Sequence, residues 1–275
     1  MTPTPNTKWQ TSEAVHRGHK FLTGFKFALW ITIALALMIL PARAQAGGAV
    51  IIKADDFRGP SAAWTNFLEA SRALGVKVSI GVIVDSIVSN SAAAEWMKAQ
   101  VARGDVEFWN HGWDHKQWTD NGKTISEFGG SGLAHQTEHL AKSQKALKDA
   151  LGKDVIALGT PYNAFDADTA KAIIAQPELR LFFVHNLAAA KPLLAGHVTV
   201  VDIISESDGT AKPNAEKFKA LWQKRPASAQ PVSLQFHPPY FDAAHLEQYK
   251  QVLEFLKAQG CTFKLPAEVA ADKTS

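Results

Sequence analysis

The chain has almost no sulfur chemistry to offer. Its 275 residues hold one cysteine, Cys261, so no internal disulfide can staple the fold. Set in the strand-like run "GCTFKL", that thiol reads as a buried apolar side chain rather than a nucleophile. A basic block is missing too. Lys and Arg number 29 against 26 Asp and Glu, a formal charge of +3. They are spread along the chain, which argues against a nucleic-acid partner. Repeats, low-complexity tracts and long linkers are absent, so one domain is the simple reading. Apolar residues make up 46%, enough for a packed core.

No apolar run reaches the length of a spanning helix, about 18–20 residues. The apolar run Phe27 to Leu40 is charge-free and has 14 residues. It follows a polar lead with Lys8, Arg17 and Lys20, and it ends in "PARAQAGG". A positive lead, a short apolar core and Ala44-Gln45-Ala46 make an export signal. Residues 1–46 are therefore expected to be a signal peptide cut after Ala46, with an uncleaved anchor as the alternative. Residues 47–275 would be the working domain, periplasmic or secreted, with no membrane contact beyond that possible anchor.

What is present after residue 48 is a rhythm. "AVIIKADDF" is a short apolar run, and "SAAWTNFLEASRALG" has helical spacing closed by Gly75. "VKVSIGVIVD", "VEFWN", "VIALGTP", "LRLFFVHN", "HVTVVDII", "PVSLQFH" and "CTFKL" read as further strands, most of them separated by helical stretches. Such alternation predicts parallel strands with crossover helices. Seven or eight strands favour a closed α/β barrel over an open sheet.

In such barrels chemistry gathers where strands end. Asp55 and Asp56 close the first strand. Adjacent strand residues point to opposite sides. One of the two can bind a metal while the other, helped by the bend into the loop, reaches past it as a base. His111 and His115 follow "VEFWN". Four apart, they can converge on one ion if the segment makes a helical turn. Imidazoles with a carboxylate suit Zn²⁺ or a similar divalent ion. Asp114, between them, reads as a supporting or surface acid. His237, held by Pro238 and Pro239, is placed as a general acid. Trp109 on the strand reads as core, whereas Trp113 and Trp118 on the loop are candidates for stacking on sugar rings, as is Tyr240. Lys53, in the first strand, is assigned no part.

A competing signature is "HQTEH", His135 to His139, which fits the H-x-x-E-H of inverted zinc peptidases. Its helix carries Leu133, Leu140, Leu147 and Leu151. At about 100° per residue, His135, Glu138 and His139 lie away from that stripe and are expected to face solvent. A peptidase helix must bury its metal face.

Taken in order, these residues resemble the polysaccharide deacetylase family, carbohydrate esterase family four. Its Asp-Asp pair looks like Asp55-Asp56, and its spaced histidines look like "HGWDH". Its Pro–Tyr/Trp loop looks like Pro161-Tyr162, and its closing Leu-x-His looks like "LQFH", one residue longer. The resemblance implies a distorted (β/α) barrel with a metal, expected to be Zn²⁺, held by Asp56, His111 and His115. It implies Asp55 as general base, His237 as general acid and an N-acetylated glycan as substrate, bound by Pro161, Tyr162, Asn163, Trp113 and Trp118. The family's arginine before the proline is missing: Gly159 and Thr160 stand there, and Asn163 is a candidate for part of its polar role. The family's acid–Trp element has no clear match, and Asp202 is a candidate partner for His237. A non-catalytic carbohydrate-binding barrel is the alternative from another class.

Overall fold

The computed structural model of the chain describes residues 47–205, 212–225 and 231–272. The expected signal segment, residues 1–46, lies outside them.

Seven strands run in parallel around a closed barrel: β1 (Ala49–Phe57), β2 (Val78–Val82), β3 (Val106–Asn110), β6 (Ala157–Gly159), β7 (Leu181–Val184), β8 (Thr199–Ser205) and β9 (Val232–Phe236). Closure comes from β9 pairing back onto β1, with Val50 opposite Val232 and Ala54 opposite Phe236. An eighth parallel strand, β10 (Thr262–Phe263), adds to the start of β1. Apart from β8 and β10, these strands are buried along nearly their whole length, which is why they read as unbroken apolar runs rather than alternating ones. The expected distorted (β/α) barrel is what the chain forms.

Helices cover the outside: α1 (Ala62–Ala73), α2 (Ser91–Val101), α3 (Leu133–Leu151), α4 (Ala167–Ile174), α5 (Leu187–Leu194), α6 (Ala215–Gln223), α7 (Ala243–Ala258) and α8 (Pro266–Ala271). Their starts are written in the sequence. Asp166 accepts the N–H of Asp168 and Thr169 and closes a capping box at α4, and Asp242 caps α7 in the same way. Gly152, at φ 73°, ends α3 with its N–H on the Lys148 carbonyl. Among the described residues no helix is long and apolar enough to cross a membrane.

Two features differ from expectation. An antiparallel hairpin, β4 (Gln117–Asp120) and β5 (Lys123–Ser126), turns at Asn121-Gly122 between β3 and α3. It packs over the start of α3, bringing Trp118 to 5.7 Å from the His135 ring. The second difference follows from it. The buried side of α3 is Gln136, His139, Leu140, Ser143, Gln144 and Leu147, while Leu133 is 40% exposed. The expectation that His135 and His139 face solvent is corrected: His139 is buried and His135 half-buried, with their rings 3.9 Å apart. A wheel drawn about the leucines could not see the hairpin that covers the polar flank. The residue left outside is Glu138, which pairs with Lys142 on the surface.

Cys261 is buried as expected, and burial pushes its thiol up to about 11.

Candidate active site

The first strand ends in an irregularity. Its register with β2 shifts between Ala54 and Phe57, and Asp56 adopts a left-handed φ of 70°. A bulge of this kind re-aims side chains. It lets two adjacent carboxylates turn to one side: Asp55 Oδ2 and Asp56 Oδ1 lie 3.6 and 3.4 Å from the same His111 Nε2. The bend expected from sequence is therefore present and has a backbone cause.

His111 leaves the end of β3, and His115 returns after a turn through Gly112, with φ values of 82° at Gly112 and 55° at His115. A side chain at 112 would strike Glu127 and Pro161, its Cβ 2.6 Å from Glu127 Oε2. The two imidazoles meet Asp56: His111 Nε2 and His115 Nε2 each lie 3.4 Å from Asp56 Oδ1. These three groups, far apart in sequence, form one potential metal cluster.

The residues fit a cation. Asp56 Oδ1 is buried and has no hydrogen-bond partner, a costly state unless something else satisfies it. The Nδ1 atom of His111 lies 2.6 Å from the Gly159 carbonyl, which turns Nε2 towards Asp56, the usual support for a ligating histidine. Burial and the neighbouring His111 push the His115 imidazole down to about 4. It is therefore neutral, as a ligand must be, at ordinary pH. Burial alone would raise the Asp56 carboxyl, but the imidazole of His111, with His115 and His237, outweighs it and holds Asp56 well below the usual carboxylate range. One carboxylate and two imidazoles suit a first-row divalent ion, and three ligands leave room for water or substrate.

Asp55 is held differently. Both its oxygens take hydrogen bonds from Lys53 Nζ, at 2.7 and 2.5 Å. The pair is almost fully enclosed, at 0% and 1% exposure. Lys53, given no part from sequence, is thus the nearest neighbour of the expected base. The signal was there: residues two apart on a strand share a face.

Beneath the histidine loop sits Glu127, fully buried between β5 and α3. It accepts the backbone N–H of Trp113 at 2.5 Å and of His115 at 2.9 Å, and lies 3.0 Å from His139 Nδ1. Burial raises its carboxyl despite those bonds. Asp114, Glu127 and His139 form a second group close enough to share an ion. The Glu127 oxygens, however, already serve two backbone amides and an imidazole, so this group reads as a brace for the loop. The H-x-x-E-H helix thus contributes His139 to a support and leaves Glu138 outside it.

The remaining expected residues surround this centre. His237 directly follows β9, half-buried, with its Nε2 3.2 Å from Gln235 Nε2, and it contributes to the lowering of the Asp56 carboxyl. Burial raises the Asp202 carboxyl, against the opposing pull of Arg225 and His185. Pro161, Tyr162 and Asn163 form a short turn in which Tyr162 and Asn163 have φ of 57° and 53°. Of the five non-glycine residues with left-handed φ among the described residues, four are Asp56, His115, Tyr162 and Asn163, the clustering that functional sites show. Tyr162 is 48% exposed, its ring lies tilted with its centre 4.5 Å from that of His115, and its hydroxyl donates to the His115 carbonyl at 3.1 Å. Trp118 and Tyr240 are exposed. Trp113 is half-buried against the core with Lys142 Nζ 4.7 Å over its ring. Trp109 is core, as expected.

A family model described as polysaccharide deacetylase matches residues 43–178, a span that includes Asp55, Asp56, both histidines and Tyr162 and stops before His237. No curated protein matches the chain in sequence. In fold it is similar to the Xyl-CE4 domain of a multidomain xylanase from the hindgut metagenome of Trinervitermes trinervoides, with TM-score 0.57 and 20% identity over 83% of this chain and 92% of that one. It is similar too to a family 4 acetyl xylan esterase from Clostridium thermocellum in complex with a cobalt ion, with TM-score 0.58 and 15% identity over 82% and 92%. A CE4 family pseudoenzyme from Bacillus anthracis resembles it with TM-score 0.56 and 14% identity over 82% and 66%.

Proposed function

This chain is a divergent member of the polysaccharide deacetylase family, and we propose that it is a metal-dependent hydrolase that removes N-acetyl groups from an amino-sugar glycan. The observation that carries the reading is the meeting of Asp56 Oδ1 with the Nε2 atoms of His111 and His115, 3.4 Å from each, with a second carboxylate, Asp55, beside them.

A divalent ion, Zn²⁺ by the donor set, would supply Lewis acidity to the acetyl carbonyl and to a water molecule near neutral pH. The rest falls to side chains. Asp56, His111 and His115 would hold the ion. Asp55 takes the proton of the attacking water. The backbone N–H of Tyr162 meets the developing oxyanion. His237 protonates the departing amine, because an amide nitrogen leaves only as an amine. Acetate and a free amino sugar result. Tyr162 and Trp118 offer exposed rings for the sugar, with Trp113, Pro161 and Asn163 shaping the floor. The export signal read from the sequence of residues 1–46 supports a reaction outside the cytoplasm.

The test is acetate release from a panel of N-acetylated glycans, with and without chelator. Turnover of at least one substrate, lost on chelation and restored by Zn²⁺, is expected. Saccharide binding with no acetate from any substrate, metal-loaded, would instead identify a carbohydrate-binding barrel.

A further inference from the structure

The barrel interior holds a cation whose placement the proposed chemistry leaves unexplained. Lys53 is fully buried in β1. Its Nζ lies 4.6 Å from the centre of the Trp109 ring and 5.8 Å from that of Phe183. It reaches both oxygens of Asp55, at 2.7 and 2.5 Å. Space for this arrangement has been cleared on neighbouring strands. A Cβ at Gly159, on β6, would come 2.7 Å from Trp109 Cζ3 and 3.1 Å from Lys53 Cε. A Cβ at Gly81, on β2, would strike the same indole. Trp109 thus fills the barrel because two facing positions are glycine, and its face supports the lysine stem and ammonium. No long side chain can enter from position 159 while Trp109 and Lys53 are there.

We propose that Lys53 is a positioning residue that holds the Asp55 carboxylate apart from the Asp56–His111–His115 cluster, so that Asp55 stays available as a base instead of becoming a fourth ligand. Asp55 Oδ2 is only 3.6 Å from His111 Nε2, so a small rotation would bring it into the cluster. Two hydrogen bonds from one ammonium oppose that rotation and compensate the buried charge. The anchor acts from inside the barrel, two residues before the base on the same strand face. This inference rests on the deacetylase reading for its catalytic consequence, but its geometric content can be tested without turnover.

The experiment compares wild type, Lys53→Met and Lys53→Arg, each loaded with Co²⁺ and each assayed for acetate release. Lys53→Met keeps the length of the side chain and removes its charge. If it does not fold, Lys53→Met combined with Asp55→Asn provides the neutral reference, and Lys53→Arg carries the comparison. The visible Co²⁺ spectrum of Lys53→Met is expected to change as Asp55 joins the ion, while Lys53→Arg and the double variant keep the wild-type spectrum. In Lys53→Met, kcat should fall about 100-fold with KM within about threefold, the loss expected when a general base is misplaced. Lys53→Arg should recover part of it. A folded Lys53→Met with the wild-type Co²⁺ spectrum overturns the assignment. So does an altered spectrum in Lys53→Arg together with the double variant. Should wild type release no acetate from any glycan, the deacetylase reading fails, and the Co²⁺ spectra still decide the role of Lys53.

Discussion

Glu127 accepts the backbone N–H of His115 at 2.9 Å, so one imidazole of the proposed metal cluster hangs from an acid on the far side of the hairpin. The left-handed φ of His115, 55°, is held in place by that bond and by the Tyr162 hydroxyl on its carbonyl.

Glu127→Ala should therefore loosen the cluster without touching a ligand. Removing supporting partners of a ligand typically costs about 10–100-fold in metal affinity. Titration calorimetry with Zn²⁺ is expected to show a loss of that size, and a smaller one for His139→Ala, which removes only the brace of the brace. Unchanged affinity in Glu127→Ala would show that the loop holds itself.

Asp55 and His237 should separate binding from chemistry. Asp55→Asn is expected to bind Zn²⁺ with wild-type stoichiometry while kcat falls by about 10²–10⁴-fold, the contribution of a general base. His237→Ala should behave alike. Loss of the metal in either variant would move that residue from the proton-transfer role to the ligand set.

Gly159→Ala places a methyl 2.7 Å from Trp109 Cζ3 and 3.1 Å from Lys53 Cε. Overpacking of this kind costs about 1–3 kcal/mol, read as a lower Tm or a lower denaturant midpoint. Trp109→Phe in the same chain should recover part of the loss, because the clash is with the indole.

At the opposite end of the barrel, Glu107 on β3 is 9% exposed and accepts the Ala267 N–H of α8 at 3.0 Å. Burial raises its carboxyl to about 7. A folded-state value above the unfolded one means that the native chain binds the proton more tightly. The stabilisation is full below about 4.5 and is lost as pH rises towards 7. The displacement corresponds to about 3 kcal/mol at most. Tm measured from pH 4 to 8 should fall across that window more steeply in wild type than in Glu107→Gln, which keeps an acceptor for Ala267. Parallel curves would contradict the assignment.

The barrel was legible because its signals are local. "VEFWN" matches β3, and the alternation of apolar runs with capped helical stretches carries the topology. His111 and His115 could be read because a loop ligand pair keeps its spacing wherever the chain goes. The hairpin escaped because β4 is exposed along its whole length, so no apolar pattern marks it. Its one signal was Asp120-Asn121-Gly122, a turn sequence. The burial of His139 followed from that hairpin and could not be seen without it. Lys53 is a different case: its two-residue offset from Asp55 was visible, but a buried lysine is rare enough that the spacing alone did not suggest it. Glu127 had no signal, since its partners lie 12 and 14 residues away on either side of the hairpin and on α3.

The most direct measurement is the Zn²⁺ content of purified protein after dialysis, compared between wild type and Asp56→Ala, His111→Ala and His115→Ala. One tightly held ion per chain in wild type, lost or weakened by at least a hundredfold in each variant, is the predicted result. An ion that stays bound when all three side chains are removed together, or a wild-type chain that binds none, would contradict the claim that these residues share a metal.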